Sequence, residues 1–118
     1  MVPSSRTPIA ACPSARAKSS AVVNIFLVAA VTQGQKGEAI TEFGDLVYYG
    51  ALAFSDDGRP VESAEIMRRA LEYTSMFNAP ILDHCEDLHL SEGGQMREGA
   101  WAARLGLKGI PAAAESSQ

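Results

Sequence analysis

Two short apolar runs in this chain each end in residues able to hold a metal ion. The first stretch is Ala53-Phe54-Ser55-Asp56-Asp57-Gly58-Arg59-Pro60, and the second is Ile81-Leu82-Asp83-His84-Cys85-Glu86-Asp87. A carboxylate can hold or bridge divalent metals and neutralise charge that imidazole cannot. Neutral imidazole binds zinc at about 2.0–2.1 Å, and a nearby carboxylate often orients the ring through its second nitrogen. Asp56 and Asp57 follow the first run, and His84 follows the second among Asp83, Glu86 and Asp87. In parallel α/β folds, ligands bind outside the carboxyl ends of the strands. Asp-Asp-Gly is also a good turn, and a lone histidine is usually satisfied by ordinary hydrogen bonds. One Asp and one His leave a zinc ion short of the three or four protein ligands it takes.

Other reactive residues read more plainly. His84 and His89 are five apart in a loop, a spacing that matches no zinc motif, so His89 reads as solvated surface. Cys85 has no second cysteine and no general base near it, and a buried spacer role fits it better than that of ligand or nucleophile. Arg97, Glu98 and Arg104 read as surface charges, with Glu98-Gly99 a candidate for a loop over the site. No phosphate-cradling loop and no G-x-S-x-G elbow is present.

The elements that must position these groups alternate. Residues 22–29 form an apolar run broken only by Asn24 and rich in β-branched residues, the pattern of a strand buried on both faces of a parallel sheet. Residues 32–37 form a loop at its carboxyl end. A helix is expected over residues 41–49, with Thr41 as cap and Gly50 in a left-handed turn after it. Residues 51–55 form the second strand. A longer helix is expected over residues 61–77, with Ala64, Met67, Ala70, Leu71 and Thr74 on one face. Glu65 can pair there with Arg68 or Arg69. Asn78-Ala79-Pro80 stops that helix, and residues 79–83 form the third strand. Residues 86–99 read as a polar loop, residues 100–105 as a helix ending at Gly106, and residues 111–115 as the start of another. Strand connections of this length imply parallel pairing with right-handed crossovers. The expected fold is therefore α/β: a partial (β/α)₈ TIM barrel of about three parallel strands with connecting helices. A three-stranded Rossmann-like sheet is the alternative, without a G-x-G-x-x-G to support it.

At 118 residues the chain holds at most one small domain. Its net charge of -4 gives no reason to expect nucleic acid as a partner. No membrane span is expected, because the longest apolar run covers residues 21–31 and a span takes about 20 apolar residues. All 14 acidic residues lie from Glu38 onward. Residues 1–20, with three Pro, five Ser, Arg6, Arg16 and Lys18, read as a disordered leader, and residues 21–118 as the barrel fragment. Such a leader also resembles an organelle transit peptide or a secretory signal. Cys12 and Cys85 are too few for a disulfide framework, which points to a reducing, cytoplasmic setting.

The chain closely resembles the bacterial class I dihydroorotases of the amidohydrolase superfamily. The likeness is carried by Val28-Ala29-Ala30-Val31-Thr32-Gln33-Gly34, by the Asp-Asp-Gly stretch and by Met67-Arg68-Arg69-Ala70-Leu71-Glu72-Tyr73. His84-Cys85-Glu86-Asp87 and Gly106-Leu107-Lys108-Gly109-Ile110-Pro111-Ala112-Ala113-Ala114-Glu115 carry it further, so that it covers residues 22–115. It implies a zinc-dependent enzyme on a (β/α)₈ barrel that interconverts N-carbamoyl-L-aspartate and L-dihydroorotate in pyrimidine synthesis. It implies that Asp57 is a metal-bridging carboxylate, that His84 is a metal ligand and that Asp56 stands behind them. Full-length members are several times longer, so the chain reads as an internal fragment. The family's His-x-His pair, its later metal His, its general-base Asp and its substrate-carboxylate Arg and Asn are absent. Arg97 stands where an Asn is usual, and Ala102 where a Ser is usual. The isolated chain is accordingly expected to be inactive, with no catalytic residue of its own. Two further readings are a hydantoinase or allantoinase relative, which would use a carboxylated Lys, and a non-catalytic partner of aspartate carbamoyltransferase.

Overall fold

Strand β1 (Leu27–Ala29) lies beside strand β2 (Ala51–Phe54), and the two run parallel in a computed structural model that describes residues 15, 16 and 19–118. The leader expected over residues 1–20 lies almost wholly outside the described residues, as does Cys12. Leu27 stands opposite Ala51, Val28 opposite Ala53 and Ala29 opposite Phe54, with an irregularity between the first two pairs. A third segment joins on the far side of β2 through a parallel bridge between Phe54 and Ile81. There the Phe54 N–H donates to the Pro80 carbonyl (3.0 Å) and the Leu82 N–H to the Phe54 carbonyl (2.8 Å). The expected order of three parallel segments is present, although the third holds by one bridge rather than a full strand. Helices and parallel strands together make the structure α/β.

The connecting helices are shorter than the sequence pattern predicts. Helix α1 (Phe43–Tyr48) begins after Glu42, which makes no side-chain cap. The Thr41 hydroxyl instead donates to the Ala30 carbonyl (2.7 Å), so it fastens the loop to the end of β1. Gly50 follows α1 at φ 99°, in the region where a side chain would be strained. Helix α2 (Ala64–Ser75) begins at Ser63, whose Oγ accepts from the Ile66 N–H (3.3 Å). It ends before Asn78, at φ 53°, and Pro80 prevents its resumption. Glu65 pairs with Arg69 (2.6 Å) and Arg68 with Glu72 (2.9 Å). Both pairs are exposed and contribute little.

The core forms where α1 and α2 press on one face of the strands. Val31, Phe43, Ala51, Phe54, Val61 and Ala70 are buried together, with Ile66, Tyr73 and Phe77 packed against them. The inward stripe of α2 therefore runs through residues 66, 67, 70, 73 and 74, and Phe77 continues it just past the helix end. Of the expected face, Ala70 and Thr74 are buried and Met67 packs against the core, but Leu71 is 52% exposed and Ala64 is exposed too. The stripe keeps Met67, Ala70 and Thr74 and is extended on one flank by Ile66 and by Tyr73, whose ring packs against Phe43.

The first strand differs most from expectation. Only residues 27–29 pair, and Val22 (99%), Phe26 (70%) and Val28 (51%) are exposed. β1 has β2 on one side only, and among the described residues nothing covers its other edge.

The region expected as a polar loop contains two elements. Helix α3 (Leu88–Ser91) is capped by Asp87, whose Oδ1 accepts from the N–H groups of His89 (2.9 Å) and Leu90 (3.0 Å). Strand β3 (Met96–Arg97) then pairs in parallel with strand β4 (Gly109–Ile110). Helix α4 (Ala100–Leu105) links them and ends at Gly106, at φ 67°, as expected of a glycine past a helix end. Helix α5 (Ala113–Ser116) docks beside α3, where the Asp87 N–H donates to the Ala114 carbonyl (2.6 Å). Strands of two residues have no readable periodicity, which is why the sequence hid them. Among the described residues, no helix is long and apolar enough to cross a membrane.

Candidate functional site

The two neighbouring aspartates after β2 have opposite fates. Asp56 is only 4% exposed, and its carboxylate turns back toward the end of β1. Oδ1 accepts from the N–H groups of Val31 (2.8 Å) and Thr32 (3.0 Å), and Oδ2 accepts from the Thr32 hydroxyl. The Thr32 oxygen in turn accepts from the Gly37 N–H (2.9 Å), which draws in the loop that follows β1. Burial of a carboxylate requires such partners, because an unpaired one would strongly destabilise the fold. Asp57 is exposed and adopts φ 60°, a left-handed conformation that Asp tolerates better than most residues. Its N–H donates to the Ser55 Oγ (3.0 Å). Among the described residues its carboxylate takes no hydrogen bond, so of the pair Asp57 is the one free to meet a ligand.

The end of the third segment is built along similar lines. Asp83 Oδ1 accepts from the Val61 N–H (3.4 Å), and Oδ2 lies 3.9 Å from the Cys85 Sγ. The His84 side chain is 47% exposed, and its Nε2 lies 2.9 Å from Glu86 Oε2. The Glu86 carboxyl is held below its ordinary value, first by a hydrogen bond with Ser91 and next by the bond with His84.

Register relates the two strand ends. Phe54 and Ile81 are bridge partners. Asp57 comes three residues after the first, and His84 three residues after the second. Both candidate ligands thus follow neighbouring parallel segments at the same step, on the carboxyl side where α/β folds place their sites.

The structure does not complete the site. A cavity of about 550 Å³ opens beside His84 and is lined also by Asp83, Cys85, Arg97 and Pro111, so Cys85 is exposed at its wall rather than the buried spacer expected. A second, of about 340 Å³, lies between Lys36, Arg59 and Ser63. Asp57 lines neither of them. Among the described residues, no three His, Cys, Asp or Glu side chains converge as a metal-holding group. Asp87, counted in sequence among the acidic neighbours of His84, caps α3 instead. His89 is exposed, in keeping with its reading as surface. Arg104 lies over the Trp101 ring (5.7 Å).

Thr32 and Ser55 are the contributors that sequence reasoning passed over. Their only signal is position, since each follows an apolar run at the end of a parallel strand.

Comparison with known proteins identifies the relationship. The family model described as dihydro-orotase-like matches residues 5–118. The chain belongs to the dihydro-orotase-like family. It is 53% identical over 100 residues to the dihydroorotase of Acetivibrio thermocellus, covering 85% of this chain and 24% of that protein. It is 51% identical over 100 residues to the dihydroorotase of Solibacter usitatus, covering 85% of this chain and 23% of that protein. A third relative, the dihydroorotase of Pelotomaculum thermopropionicum, is 54% identical over 93 residues, covering 79% and 22% respectively. This dihydro-orotase-like chain spans about a quarter of the length of the curated relatives it matches.

Proposed function

We propose that this chain is part of a dihydroorotase, a hydrolase that interconverts N-carbamoyl-L-aspartate and L-dihydroorotate through a bound zinc ion. Its parallel segments would be consecutive units of a (β/α)₈ barrel. The observation that carries the reading is the common register of Asp57 and His84 beyond the Phe54–Ile81 bridge, in a chain with about 50% identity to named dihydroorotases.

The donors present fit a zinc ion in kind, a carboxylate and an imidazole, both reachable from solvent. They are two, so the remaining ligands would come from outside the residues described. When bound, the metal would polarise the amide carbonyl and lower the pKa of a water molecule. Asp57 would offer its unshared carboxylate. His84 would offer one ring nitrogen while Glu86 holds the other and fixes the ring. The substrate would be a small molecule, and the setting cytoplasmic.

The test uses the purified 118-residue chain titrated with Co²⁺ and followed by NMR. The His84 ring and Asp57 amide signals are expected to respond first, and the response is expected to disappear in Asp57→Asn and His84→Gln. Equal response in both variants would sink the reading. The same preparation, loaded with Zn²⁺, is expected to leave dihydroorotate unhydrolysed, because two donors do not assemble the activated water.

A further inference from the structure

Each candidate ligand is immediately preceded by an aspartate. Asp56 stands two residues past Phe54, and Asp83 two residues past Ile81, so the bridge puts them in the same register. Both carboxylates accept backbone N–H groups from an earlier segment of the chain. Asp56 takes those of Val31 and Thr32, and Asp83 takes that of Val61. Neither contact is local, since the partners lie 22 to 25 residues away. The same dipeptide logic therefore appears twice, with a carboxylate that ties the strand end to an earlier segment and a candidate ligand directly after it. Of the two ligands, His84 also contacts Glu86 through Nε2.

We infer that Asp56 and Asp83 are paired positioning residues, the first for Asp57 and the second for His84. The inference rests on the metal reading above. Asp57 lies past the end of β2 at φ 60°, so strand alternation does not set its direction. The hydrogen bonds that hold Asp56 and Asp83 fix the backbone from which the next side chain projects. Asp56 is the stronger anchor. It is buried and takes three hydrogen bonds, and Ser55 adds two more ties. The Ser55 N–H donates to the Ala29 carbonyl (2.8 Å), and the Ser55 Oγ receives the Asp57 N–H. Thr32 belongs to the same device, because its hydroxyl joins Asp56 to the Gly37 N–H. Asp83 anchors more loosely, through one N–H at 3.4 Å.

The experiment is Co²⁺ titration of the full 118-residue chain, with the His84 ring and Asp57 amide followed by NMR and the fold checked by amide signal dispersion. In Asp56→Asn, an amide donor faces Thr32 donors, and Co²⁺ affinity is expected to fall about 10- to 100-fold, the usual effect of losing a group that orients a metal ligand. Asp83→Asn is expected to weaken it less, with the change seen at the His84 ring. Thr32→Ser is expected to keep parental affinity and Thr32→Val to lose it, which decides the matter if Asp56→Asn fails to fold. Parental affinity in Asp56→Asn or Thr32→Val, together with loss in Asp57→Asn, would overturn the positioning role and leave the metal reading intact. Parental affinity in Asp57→Asn and His84→Gln would overturn both.

Discussion

The ring of Phe54 packs 4.4 Å from the ring of Phe43, tilted by 54°, while the backbone of Phe54 pairs with both Ala29 and Ile81. One residue thus joins the hydrophobic core to the register that sets the candidate site. Phe54→Ala is expected to destabilise the chain by about 3–5 kcal/mol, the usual range for removing a buried aromatic side chain. Urea unfolding followed by circular dichroism checks this. A loss below about 1 kcal/mol would show that Phe54 is not packed as described.

Ser63 caps α2 through its hydroxyl. Ser63→Ala is expected to lower stability by about 1 kcal/mol. Thermal unfolding reads it, with Ser63→Asp expected to retain the cap and stay near the parent.

The Glu86 carboxyl lies below its ordinary value of 4.5, because Ser91 and His84 stabilise its charged form. A carboxyl lowered by folding adds stability above the ordinary carboxylate range, and that contribution disappears as pH falls through the lowered value. The effect is small at so open a site. Ser91→Ala is expected to move the Glu86 midpoint upward, toward 4.5, in a carboxyl-carbon NMR titration. An unmoved midpoint would remove Ser91 as the main cause.

Gly109 sits in β4 with the backbone of Glu98 against it, and an added Cβ would lie 2.7 Å from the Glu98 Cα. Backbone cannot swing aside as a flexible side chain does. Gly109→Ala is therefore expected to cost about 1–3 kcal/mol, the range for overpacking. Hydrogen exchange gives the local readout. The Glu98 N–H, bonded to the Ile110 carbonyl (2.8 Å), should exchange faster in the variant.

The order of elements was legible because its signals are long. The periodic stretch in residues 61–77 and the stops at Gly50, Asn78 and Gly106 each have a local cause. The second sheet was not legible, because Met96–Arg97 and Gly109–Ile110 depend wholly on pairing across α4. At the site, sequence could point to Asp57 and His84 but could not say which way their neighbours turn. That depends on contacts such as Asp56 with Thr32, 24 residues apart, which no local pattern encodes. The burial expected for residues 22–29 failed for a related reason. An apolar run records what a strand needs around it, and only one neighbouring strand is described here.

That unshielded run has a practical consequence. Val22, Val23 and Phe26 are exposed next to a strand edge that is unpaired among the described residues, a natural template for another chain to add to. Protein concentration would then govern how long a preparation stays dispersed, and polar substitutions at Val22 and Val23 offer a direct way to prolong its shelf life.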